Sequence, residues 1–311
     1  MTAKKRRNSV FKSKGDIIFY ICALAVPVAQ FIIFYVVVNF NSVLFAFKNV
    51  DPAGNTINWT VDNFAAAFKL IFQKEGELGF ALGNSLLMFV FNIVCGVGLG
   101  LLYSFYISKK MFMNKFFRVL LFLPSIVSAS VMAGVFMYFV GEAVPDLSQK
   151  LFGTKVLGLL DSNDTTAFFT LVFYNVLIGF GTSVLMYSNA MSAISTEIYD
   201  AAKIDGAEGI KEFWHISLPM IYSTLSTYLI AGVAVIFTNQ MNLYSFKSTQ
   251  AGSRLYTFGY YIYKESAEGL VDGFTYYPTI ASIGLILTFI SVPLTLGVKK
   301  LLEKFGPSED R

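Results

Sequence analysis

Long apolar runs separated by shorter polar stretches dominate the chain. Six runs of roughly 18 or more uncharged, mostly apolar residues fall near 17–38, 80–107, 119–140, 167–190, 220–242 and 276–298. About 20 such residues cross the hydrocarbon core of a bilayer as a helix, so each run predicts one spanning helix. The first run follows a basic stretch, but it is too long for a signal-peptide core and no small-x-small cleavage site closes it. It reads as a retained anchor. The expected fold class is an all-α integral membrane protein with six transmembrane helices.

Charge orients this series. Most of the 24 basic residues sit in alternate connections. These hold Lys4, Lys5, Arg6, Arg7, Lys12 and Lys14; Lys109, Lys110, Lys115 and Arg118; Lys203 and Lys211; and Lys299, Lys300, Lys304 and Arg311. The other connections, 41–79, 141–166 and 243–275, are longer in total yet carry fewer. The positive-inside rule then puts both termini and the 191–219 loop in the cytoplasm. An even number of spans also requires the termini on one side. Residues 1–15 form a basic tail, a topology signal with some capacity to meet anionic lipid headgroups, and 16–311 form the transmembrane domain.

Composition agrees and narrows the chemistry. The chain is 55% hydrophobic and 14% charged, with a mean hydropathy of +0.59, where a soluble domain carries about 25% charged residues. Cys22 and Cys95 lie in apolar runs without metal-ligand spacing. No metal site and no catalytic residue is expected. The six predicted spans hold no Asp, Glu, Lys, Arg or His, whereas ion-coupled transporters usually carry such groups inside the membrane. No G-x-x-x-x-G-K-[ST] phosphate loop occurs. His215 is the only histidine. Basic residues flank membrane spans and form no patch interleaved with aromatics, so nucleic acid is not an expected partner.

The loop at 191–219 stands apart because acids outnumber bases there. Glu197, Asp200, Asp205, Glu208 and Glu212 face only Lys203 and Lys211. Ser195 or Thr196 can cap a helix whose first turns hold Glu197 and Asp200. Asp205-Gly206 supplies the stop. A helix of about two turns is too short to persist alone in water, so it predicts a docking partner. Ala201, Ala202 and Gly206 give it a nearly bare face. A second helical stretch is expected over 207–215, and Pro219 at a first-turn position opens the fifth span.

This loop resembles the coupling loop of permease subunits in bacterial ABC importers, the binding-protein-dependent inner-membrane component family. The pattern there is Glu-Ala-Ala, three residues, Gly, nine residues, Ile, one residue, Leu-Pro. Here it reads Asp200-Ala201-Ala202, Gly206, Ile216, Ser217, Leu218-Pro219, with Asp in place of Glu. Asn84-Ser85-Leu86, Phe117-Arg118 and Phe122-Leu123-Pro124 look like the carbohydrate-uptake members that pair with a second permease. Ser223 stands where those usually have proline. The resemblance implies a six-transmembrane-helix ABC importer permease in the bacterial cytoplasmic membrane. It implies a second permease subunit, an ATP-binding cassette ATPase dimer and an extracellular solute-binding protein as partners, with ATP and Mg bound by the ATPase and no cofactor on this chain. Glu197, Asp200, Ala201, Ala202, Asp205, Gly206 and Pro219 would couple to the ATPase. The implied cargo is a sugar or oligosaccharide. Another neutral solute, a phosphorylated polyol, or ATP-independent facilitation are the alternatives.

Candidate pathway residues come from polar side chains within the spans, since an amide in lipid must face protein or a water-filled cavity. Tyr174, Asn175, Gly179 and Ser183 recur at helical spacing in the fourth span. Asn239 and Asn242 are expected on one face near the end of the fifth span, with Gln240 beside it. The small-xxx-small pairs Gly96/Gly100 and Ser130/Gly134 are expected to pack helices.

Overall fold

The computed structural model describes residues 14–73, 76–272 and 276–307. The basic tail lies almost entirely outside them. Among the described residues, five helices are long and apolar enough to cross a membrane: Ile17–Phe45, Ala81–Ser108, Ala129–Phe152, Asp164–Ser192 and Tyr277–Phe305. A sixth span arises if the bent pair Ile210–Met220 and Tyr222–Ala234 counts as one. These are termed spans 1, 2, 3, 4, 6 and 5 respectively. The main core lies between spans 2, 3, 4 and 6 and the stretch 235–262, with Leu171, Tyr174, Met241, Phe258 and Ile283 among its buried members.

Two predicted spans are broken. The run at 119–140 splits into a helix at Asn114–Ile126 and span 3. Pro124 has no N–H to donate to the carbonyl of Leu120, so the helix ends within a turn. Val127 and Ser128 are extended, and Ser128 caps the next helix through Oγ, 3.4 Å from the Val131 N–H. Span 3 then runs to Phe152 and carries Glu142, Asp146 and Lys150 near its end. The expectation of a charge-free span holds only for its apolar part. At about 1.5 Å per residue, its 24 residues reach about 36 Å, so the charged turns project beyond a hydrocarbon core of about 30 Å.

The run at 220–242 also fails as one helix. Pro219 cannot bond to the carbonyl of His215, and Phe213–Ser217 widen into π geometry. The axis then bends by 72° at Ile221. Pro219 therefore precedes a bend instead of opening a straight span. At the other end helix stops at Ala234. The Asn239 side chain accepts the Met241 N–H at 2.8 Å, a local bond that competes with helix. Met241 and Asn242 both have left-handed backbones. Asn239 and Asn242 consequently share no helical face.

The all-α expectation misses one small sheet. Lys48–Val50 pairs antiparallel with Thr56–Trp59, with Lys48 opposite Trp59. Asp51 closes the turn by accepting the Asn55 N–H at 2.8 Å. Successive connections gather at two ends of the bundle. Lys109, at the end of span 2, pairs with Glu212 of the 191–219 loop, and Tyr222 donates to the Leu302 carbonyl of span 6 at 2.9 Å. On the opposite face, Asn84 at the start of span 2 donates to the carbonyls of Arg254 and Tyr256, at 2.8 and 2.9 Å. Of the small-residue pairs, Gly100 is buried against Ser183 and Tyr187, whereas Gly134 meets no neighbouring chain.

The helix Asn114–Ile126 reaches span 4 backbone to backbone. A Cβ added at Gly181 would collide with the carbonyl of Leu121, while one at Gly179 would meet nothing. Gly181→Ala should therefore cost about 1–3 kcal/mol through overpacking. Thermal unfolding of the detergent-solubilised protein should show a midpoint several degrees lower, with Gly179→Ala close to wild type. Equal midpoints for the two variants would refute the close contact.

Candidate functional site: an exposed loop and a polar cavity

The loop folds as its sequence suggests. Thr196–Ile204 is helical, Ser195 is its N-cap residue without a side-chain capping bond, and Glu197 lies in the first turn. Asp205 is the C-cap and Gly206 takes φ +77. The Gly206 N–H bonds to the Lys203 carbonyl at 3.1 Å and the Ala207 N–H to the Ala202 carbonyl at 2.8 Å. These two bonds make a Schellman stop, which favours glycine at the left-handed position. The second helix begins at Ile210.

The helix surface differs from the bare face expected. Ala202 is only 5% exposed and faces the protein, while Ala201 and Gly206 face out. Ile204 is 86% exposed, and Glu197, Asp200, Asp205 and Pro219 are exposed with it.

What holds the loop in place escaped the motif. Lys109 pairs with Glu212 and sits 3.5 Å from the ring centre of Tyr199. The Tyr199 hydroxyl lies 3.4 Å from the Met191 carbonyl and 3.3 Å from Ser217 Oγ. Burial pushes the Tyr199 phenol above its ordinary range, so it stays a donor at neutral pH. Phe213 is buried among Leu101, Tyr187, Met191 and Ile221. One lysine thus joins span 2 to both loop helices. The cue in the sequence was Lys109 closing an apolar run opposite an acidic loop.

A cavity of about 270 Å³ opens between spans 2, 4 and 5. Most of its lining is apolar; its polar groups come from Ser85, Asn92, Ser183, Tyr228 and Asn239, and no charged side chain among the described residues lines it. Of the candidate pathway residues it gathers Ser183 and Asn239 and excludes the others. Tyr174 is 1% exposed and packs between Phe136 and Phe246, at ring separations of 4.9 and 4.7 Å. Asn175 donates to the carbonyls of Leu171 and Met241 and accepts from Asn242 at 2.7 Å. Those two amides fasten span 4 to the 235–242 turn, which also carries Gln240. Gly179 faces outward. Asn92, Ser85 and Tyr228 were missed as wall residues. Asn92 is an amide in an apolar run, so the rule that selected Asn175 points to it equally.

Over residues 92–304 the chain matches the model of the binding-protein-dependent transport system inner membrane component family. It is 26% identical to the probable ABC transporter permease protein YurN of Bacillus subtilis, covering 85% of this chain and 90% of that one. It is 22% identical to the multiple sugar-binding transport system permease protein MsmF of Streptococcus mutans, over 91% and 94%. The maltose/maltodextrin transport system permease protein MalF of Klebsiella aerogenes is 30% identical over 59% of this chain, which spans 36% of that longer protein. In fold it is similar to a bacterial ABC transporter involved in the import of the acidic polysaccharide alginate, with a TM-score of 0.78 and 18% identity, covering 94% and 97%. The chain belongs to the binding-protein-dependent transport system inner membrane component family. It is a multi-pass transport subunit, not an enzyme.

Lys109→Ala should free the loop without affecting membrane insertion. Losing the ring contact and leaving the buried Glu212 carboxylate without its ion partner costs about 1–3 kcal/mol, a roughly fivefold or larger open population. Trypsin should then cut at Lys203 or Lys211 several-fold faster than in wild type, with Lys115→Ala as the control. Unchanged cleavage would refute the tethering role.

Proposed function

We propose that this chain is one of two permease subunits of an ATP-driven importer for a neutral sugar or oligosaccharide. The observation that carries the reading is the loop: a nine-residue helix, Thr196–Ile204, displaying Ile204 and two acids, with a third, Asp205, at its C-cap, while its root is tied to spans 2, 4 and 5. In this reading an ATP-binding cassette dimer, holding ATP and Mg, docks on Glu197, Asp200, Ala201, Asp205 and Gly206 from the cytoplasm. Ala202 and Pro219 act from behind, one seating the helix and the other setting the bend. Both termini are then cytoplasmic, and a solute-binding protein delivers cargo to the opposite face.

The cavity supports the cargo class. Its amides and hydroxyls suit a polyol, and the lack of charge on its wall gives nothing to neutralise an anion. Sugar-transport names among the relatives point the same way. Asn239 spends Oδ1 on the Met241 N–H; Nδ2 and the Asn92 amide make no hydrogen bond among the described residues and are available to hydroxyls. Asn175, Asn242, Gln240, Tyr174 and Gly179 support the pathway from outside the cavity.

The test is reconstitution of the chain with its partners and measurement of solute-stimulated ATP hydrolysis. Gly206→Val should insert normally yet lose ATPase co-purification and uptake, because valine in a left-handed backbone breaks the helix stop. Wild-type uptake would overturn the docking role. Asn92→Ala and Asn239→Ala should each raise the half-saturating solute concentration several-fold, from loss of about 1 kcal/mol. Asn92→Ala should leave complex yield unchanged. Unaltered concentration dependence in both variants would remove the cavity from the pathway.

A further inference from the structure

We propose that the hairpin at 48–59 and the helix Asp62–Phe72 form a platform that rests in the lipid headgroup layer where span 1 leaves the membrane. The inference rests on the membrane-spanning reading and is independent of what solute the chain carries. Span 1 has 29 residues, about 44 Å of helix, so its far end at Phe45 stands beyond a hydrocarbon core of about 30 Å. The first strand follows three residues later. It therefore begins at headgroup depth.

The platform is built to hold that position. Asn63 donates to the carbonyls of Ala46 and Lys48, at 3.0 and 2.9 Å, joining helix to hairpin. Ser282 of span 6 donates to the same Ala46 carbonyl at 3.3 Å. Ala67 and Ile71 bury one side of the helix in the core.

Large apolar side chains stand open on the remaining surface. Ile57, the extra residue where the strand pairing shifts register, and Trp59 are 64% and 63% exposed. Phe68 and Phe72, one helical turn apart with rings 4.4 Å between centres, are also more than half exposed. Lys48 lies 5.6 Å from the Phe45 ring and 5.3 Å from the Trp59 ring. Aromatic rings combined with a lysine whose ammonium sits over them is the chemistry of the membrane–water boundary. A short amphipathic element of this kind sinks its apolar side about 5–10 Å into the headgroup region. An aqueous protein partner fits less well, because these side chains would stand in water between encounters. The depth of the platform at the end of span 1, with aromatic rings and a lysine gathered there, selects the bilayer.

The experiment is spin-label accessibility on the assembled importer in lipid nanodiscs. Phe72→Cys and, separately, Ile57→Cys are placed in a Cys22→Ala/Cys95→Ala background and labelled. Power saturation is read with oxygen and with Ni–EDDA, using a label at Lys155→Cys, exposed in the connection between spans 3 and 4, as the aqueous reference. The expected result is several-fold lower Ni–EDDA access than the reference, with raised oxygen access. Access to Ni–EDDA equal to the reference would put the platform in water and overturn the proposal. Low access to both reagents would mean a protein covers it, and would overturn it equally. If one variant does not assemble, the other reads the same surface.

Discussion

Inside the bilayer no water is present to satisfy backbone N–H and C=O groups, and everything irregular in this chain is arranged around that constraint. Most of the spans are uninterrupted helix and meet it internally. Where helix fails, side chains take over. Ser128 caps the restart after Pro124. Asn239 takes the Met241 N–H, Asn175 takes the Met241 carbonyl, and Thr257 donates to the Asn239 carbonyl at 2.8 Å. The non-helical stretch 235–242 thus enters the bundle with many of its polar groups matched. It lies beside the cavity and is partly buried in the core, the settings in which broken backbone is tolerated at membrane depth.

The same constraint explains which polar residues are structural. Asn175 and Asn84 each donate to backbone carbonyls of a neighbouring irregular stretch. Asn92 lines the cavity and makes no hydrogen bond among the described residues. The partner a side-chain amide reaches, not its place in an apolar run, separates amides that fasten segments together from amides left open to the cavity.

Legibility in the sequence follows from this. Six apolar runs were readable because hydropathy reports burial in lipid, and the loop helix with its Gly206 stop was readable because capping is local. The breaks at Ile126–Ala129 and Ile221 were not placed. Pro124 and Pro219 announced disruption, but proline alone does not say whether a helix kinks, ends or bends. The end of span 5 was missed because 235–242 is apolar enough to continue a helix, and only the Asn239 side chain diverts it. Tyr174 was placed on the pathway by periodicity, which cannot tell a ring facing a cavity from one packed against Phe136 and Phe246, where it lies. Lys109 was read as a topology charge; its grip on Tyr199 and Glu212 is a tertiary fact.

The 72° bend changes how force on the loop would travel. A straight helix running from the loop into span 5 would transmit a push along its axis. With the bend at Ile221, a push on Ile210–Met220 acts across the axis of Tyr222–Ala234 and tends to rotate it. Ile221 is buried with Phe213, Tyr187 and Leu101, so the pivot is packed against spans 2 and 4 and does not slide freely. Lys109 adds a second attachment to span 2 at the loop itself. Motion of the loop would therefore load span 2 and the lower part of span 5 together. Ser85 and Asn92 lie on the first, Tyr228 on the second, and the cavity lies between them. Small rotation of one wall against the other is enough to change the spacing of its polar groups, with no need to move span 5 as a rigid rod.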